Sequence, residues 1–167
     1  MLTLIISFAL IKTNNRRENN IRNNYNTLDE FVLSTIKKCP PKLGECLKAS
    51  AETLLNDASL DEVMSVMKLH IHEADIFNSC HQITHEFGRI EYKKSKNIKE
   101  VFNKGNYVCY EGFFHGATEA YFLDKNISMD VTDPKFKDSI PKVCGQEKDY
   151  KKIMIYMYLV CTALVKQ

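Results

Sequence analysis

Residues 59–71 read SLDEVMSVMKLHI, and this stretch decides the fold class. Ser59 followed three positions later by Glu62 is a capping box: the hydroxyl accepts from one orphan backbone N–H while the carboxylate reaches back to another. Behind it Leu60, Val63, Met64, Met67 and Ile71 recur at helical spacing, so one apolar stripe faces a core. Upstream, Thr27-Leu28-Asp29-Glu30 repeats the capping signal and opens a helix to Lys38, which Cys39-Pro40-Pro41 stops. A second helix is expected over 42–55, a fourth over 76–94, a short one over 98–103 before Gly105, and a further one over 107–123. Asp133-Pro134 supplies an N-cap and a first-turn proline for another. Strand-like alternation is absent, and only 4 Pro and 6 Gly punctuate the chain. The expected fold is all-α, a compact multi-helix bundle built from repeated helical hairpin-like units.

The ends of the chain differ from this middle. Met1–Ile11 reads MLTLIISFALI, too short to span a bilayer but suited to a signal-peptide core or a short anchor. A polar, Asn-rich stretch from Lys12 to Asn24 follows it like a tether. The expected organisation is therefore a signal or anchor plus tether over 1–26 and a single helical domain over 27–167. The alternative for Met1–Ile11 is a helix packed in the core. From Ile153 to Val165 the chain is nearly all apolar, the length of a core or interfacial segment rather than a span, and from Lys151 onward it reads as an altered or truncated end.

Charge excludes one class of function. Lys and Arg number 23 against 21 Asp and Glu and are scattered, so there is no nucleic-acid footprint. Six cysteines with no C-x-x-C pattern exclude zinc-ribbon and thioredoxin-like readings. Their even number and wide spread fit a disulfide framework in an oxidising compartment; the other reading is buried free thiols. Together with the apolar start, this predicts an extracytoplasmic protein, secreted or membrane-tethered.

Two motifs concentrate the chemistry. The first is Cys80-His81-Gln82-Ile83-Thr84-His85-Glu86-Phe87-Gly88-Arg89. On a helix His81 and His85 lie one turn apart on one face, beside the apolar stripe of Ile83, Phe87 and Ile90. The second runs from Cys109 to Glu119 and sets Glu111, His115 and Glu119 four apart, with Gly112 and Gly116 also four apart. A mid-helix glycine costs about 1 kcal/mol relative to alanine. Glycines at Gly88, Gly112 and Gly116 therefore predict close packing of another helix. If the two motif helices pack together, His81, His85 and His115 form a three-histidine set suited to Zn, Cu or Fe. Glu119 leans back over His115 and is expected to be a fourth ligand, an orienting partner or a base; Glu111 leans away. Packing would also bring Cys80 within bridging range of Cys109, with Cys39 and Cys46 as a local pair. His70 and His72 are two apart and fail this geometry.

These motifs, C-H-x3-H-x2-G-R followed by C-x2-G-F-x-H-G-x2-E, resemble a loosely defined group of uncharacterised, exported prokaryotic proteins in which such units recur. The resemblance covers Leu60 to Cys144 and implies the same key positions: Cys80, His81, His85, Gly88, Cys109, Gly112, His115, Gly116 and Glu119. It brings no activity with it. This chain departs from the pattern in having no histidine after Cys144.

The leading expectation is an exported or tethered helical domain that binds a transition metal. Three alternatives stand beside it. One is a metal-dependent hydrolase or oxidase with Glu119 as base. Another is a b-type heme held by two histidines. The third is a disulfide-stabilised interaction domain whose histidines are satisfied by ordinary hydrogen bonds.

Overall fold

The computed structural model describes residues 25–40, 44–109, 111–128, 130 and 132–144. The apolar start, most of the tether and the tail from Lys151 lie outside these. Seven helices are present among the described residues, and no strand: α1 Leu28–Lys37, α2 Gly44–Asp57, α3 Leu60–Leu69, α4 Ala74–Ser95, α5 Ile98–Lys104, α6 Gly112–Asp124 and α7 Pro134–Cys144. The fold is all-α and compact.

The start signals act as their chemistry dictates. Ser59 and Glu62 form the full reciprocal capping box at α3. At α1 the Thr27 hydroxyl accepts from the Glu30 N–H at 3.1 Å, but the Glu30 carboxylate accepts from Asn26 rather than from Thr27. Asp133 accepts from the Lys135 N–H at 2.8 Å, fixing the first turn of α7. That helix also carries Pro141 in its interior, which removes one backbone donor.

One core runs through the molecule. Met64 and Met67 of α3, Ile36 of α1, Leu47 and Leu54 of α2, and Ile83, Phe87 and Tyr92 of α4 are all but fully buried. A disulfide between Cys39 and Cys46, Cα–Cα 5.6 Å, ties the end of α1 to the start of α2. On the far side Phe122 of α6 meets Phe136 of α7 with ring centroids 5.3 Å apart.

The principal packing is α4 against α6. The two helices run in the same direction, because contacts advance together from Gly112 at His81 to Gly116 at His85 and on to Glu119 at Arg89. Parallel neighbours cannot be joined by a tight turn, so α5 and residues 105–109 carry the chain back toward the starting end. Their common direction sets the beginnings of both motifs side by side.

Two expectations about α6 need correction. The helix was expected from Tyr107 but begins at Gly112, because Cys109 and Glu111 take positive φ values of 66° and 65°. Those left-handed residues cannot sit inside a right-handed helix. Cys109 therefore stands in the turn before α6, and Glu111 is its N-cap rather than part of the His115 face. Cys80 lies within α4, as expected.

Candidate metal centre

The site exists because α4 and α6 approach closely. A Cβ added at Gly116 would stand 1.9 Å from the His85 carbonyl oxygen, and one at Gly112 would stand 2.3 Å from that of His81. One at Gly88 would stand 2.0 Å from the Phe113 carbonyl oxygen. All three glycines are therefore obligatory at this seam, each facing partner-helix backbone where no side chain fits. The expectation drawn from their spacing meets its physical reason here.

Side chains at the edge of that seam converge. The rings of His81 and His85 are 4.9 Å apart between centroids, and each lies 5.4 Å from the ring of His115. One nitrogen from each imidazole falls within 4.8 Å of the other two, so the three histidines could hold a metal ion. Tetrahedral ligation at about 2.0–2.1 Å sets nitrogens about 3.3 Å apart, within reach of modest side-chain rotation.

Hydrogen bonds orient the set. His81 Nδ1 lies 3.0 Å from the Cys109 carbonyl oxygen. A carbonyl only accepts, so Nδ1–H donates and Nε2 is left with the lone pair a metal needs. The Cys80–Cys109 disulfide, Cα–Cα 5.2 Å, holds that carbonyl in place next to His81. The two expected cysteine pairs are thus both bridged. Cys144 and Cys161 were not assigned a pairing, and their side chains lie outside the description.

Burial favours the neutral form of two of the three rings. Burial holds the His85 pKa down at about 4, helped by His81, Arg89 and His115; Glu119 opposes the shift. His115 is also lowered, first by burial and then by His81. Near neutral pH both rings carry free lone pairs, the metal-competent form.

Glu119 sits one helical turn beyond His115, as its spacing requires, but its carboxylate is engaged by Arg89. The Arg89 Nε donates to Glu119 Oε2 at 3.2 Å, and a second guanidinium nitrogen reaches the same oxygen. Glu86, on the same helix as Arg89, takes a third. The Glu119 oxygen lies 3.9 Å from His85 Nδ1, beyond hydrogen-bond reach. Arg89 was absent from the sequence-based site. Its position four residues after His85, facing a carboxylate four residues after His115, was the available signal.

A second unforeseen feature is an open cleft of about 1140 Å³ beside the cluster. His81, His115 and Glu111 contribute to its lining, as do α3 and residues 106–109; Glu119 and His85 do not. His70 and His72 stand apart from the cluster, as their spacing indicated: His70 contacts Glu73 at 2.6 Å and Asp29 at 3.2 Å.

No protein family, curated protein or solved structure matches this chain.

Proposed function

We propose that this protein is an exported or membrane-tethered helical domain that binds one transition-metal ion through His81, His85 and His115. The observation that carries this reading is the convergence of three imidazole nitrogens within 4.8 Å from two separate helices. Ordinary buried histidines are satisfied singly, by a backbone or carboxylate partner. Here three rings face one another, two of them, His85 and His115, with lowered pKa values. A cation shared by the rings satisfies all three lone pairs at once. Glu119 acts from outside the ligand set, through Arg89 and His85, as an orienting charge.

Export is supported by the two disulfides, bonds that persist in oxidising compartments. It is supported as well by the apolar start of the sequence and by the resemblance to exported proteins that share these motifs. No helix among the described residues is long and apolar enough to cross a membrane.

The test is elemental analysis and optical spectroscopy of protein purified with its disulfides intact. One bound Zn, Cu or Fe per chain, lost in His115→Ala, supports the proposal. A folded protein that takes up no ion overturns it and leaves a disulfide-stabilised interaction domain. A Soret band in place of a simple metal spectrum redirects it to b-type heme.

A further inference from the structure

Three histidines leave a tetrahedral ion with one position free, and in metal sites of this kind that position takes water or an exogenous ligand. Two of the three, His81 and His115, form part of the lining of the large cleft. The cleft's other walls are mainly apolar. Met64 and Ile71 come from the α3 side, and Val108 and Tyr107 from the turn before α6. Tyr107 remains 47% exposed, so it stands at the rim. Among the described residues, the charged side chains that line the cleft are Lys68 and Glu111.

This combination specifies a ligand class. A divalent ion held by three neutral imidazoles brings two positive charges to one end of the cleft. Lys68 adds a further positive charge and Glu111 cancels one, so the balance is positive and favours an anionic head. The apolar walls favour a hydrocarbon body, and a volume of about 1140 Å³, just above the roughly 300–1,000 Å³ of small-molecule sites, leaves room for one. Resting on the metal reading above, we propose that the cleft binds an apolar-chain monocarboxylate, its carboxylate directed to the metal position and its chain laid along the α3 wall. The disulfide between Cys80 and Cys109 fixes one wall of this pocket to the helix that carries His81 and His85.

The test loads the full chain with Co(II), whose visible spectrum reports a change of ligand at the ion, and titrates acetate, butanoate, hexanoate and octanoate. Each buried methylene adds apolar area removed from water, so octanoate is expected to bind about 10-fold or more tighter than acetate. All four acids should shift the cobalt spectrum, and octanol should not. Lys68→Glu is expected to weaken the whole series, and Ser65→Trp, which fills the cleft from the exposed side of α3, to remove the chain-length dependence. Cobalt content is measured on the same samples, which separates loss of the cleft from loss of the site. Equal affinity along the series overturns the proposal, as does octanoate binding that leaves the spectrum unchanged or is as tight without the ion; the metal reading survives each of these. Failure to take up cobalt, zinc, copper or iron at all sinks both.

Discussion

His70 and the trio of His81, His85 and His115 are the same residue type placed in opposite surroundings. His70 stands at the end of α3 between two carboxylates, Glu73 at 2.6 Å and Asp29 at 3.2 Å. Its pKa is raised, first by Glu73 and then by Asp29, so it is built to carry a proton. His85 and His115 stand among imidazoles, with their pKa values lowered by burial and by their neighbours. They are built to stay neutral. A proton satisfies the first site; a cation without a proton suits the second. The difference teaches that a histidine's role is set by what surrounds its ring rather than by its own chemistry.

The largest effect should separate the two sites outright. His115→Ala removes one of three ligands and is expected to lower metal affinity by more than about 100-fold, beyond the usual range for an outer partner. His70→Ala should leave it unchanged. Competition with a chromophoric chelator measures both. A similar loss from both variants would mean that the ion binds elsewhere or nonspecifically.

Gly116→Ala attacks the seam that makes the trio. Its new methyl would fall 1.9 Å from the His85 carbonyl oxygen, so α4 and α6 must separate. Overpacking of this kind costs about 1–3 kcal/mol, to be read from denaturant melts of the metal-free protein. Metal affinity should fall as well, since His85 and His115 are carried by the two helices that part. Unchanged stability would show that the seam is looser than these contacts require.

Glu119→Gln tests the outer shell. Losing its charge frees Arg89 from one of two carboxylates and leaves the guanidinium nearer to acting as a bare positive charge beside His85. Metal affinity should drop about 10-fold, within the range for partners that orient ligands. Arg89→Gln, which removes the repelling charge, should not reproduce this loss. If the two variants weaken binding alike, the pair acts as a structural clasp.

How much of this was legible depended on how far apart the partners are in sequence. Capping boxes are local, so Ser59 with Glu62 marked α3 without any knowledge of the fold. The trio was legible because i,i+4 spacing placed His81 with His85, and the glycines announced a close helix partner. The α6 start was misplaced because nothing local distinguishes Cys109 and Glu111 as left-handed; the long connection between parallel helices imposes that turn. Arg89 and the cleft depend on how α4, α6 and α3 meet. The His70 site depends on Asp29, 41 residues away, and no spacing rule reaches that far.

The smallest effect is on the pH dependence of stability in the metal-free protein, where the two kinds of site should pull in opposite directions. A folded pKa raised above the ordinary 6.5, as for His70, means that the folded state holds its proton more tightly than the unfolded chain. That stabilisation is fully present below pH 6.5 and is lost as pH rises through the higher folded value. His85 is the reverse: between its folded pKa of about 4 and the ordinary 6.5, the unfolded chain binds more protons, so stability rises with pH across that window. His115 adds in the same direction as His85. Denaturant melts should therefore show stability climbing through the acid range and declining gently above neutrality. His70→Gln should remove only the decline, and His85→Gln should flatten only the climb. The contact of His70 with its carboxylates is partly exposed, so added salt should weaken the decline and leave the burial-driven climb in place. A decline that survives both His70→Gln and high salt would belong to another group, and the contrast between the two histidine sites would lose its electrostatic basis.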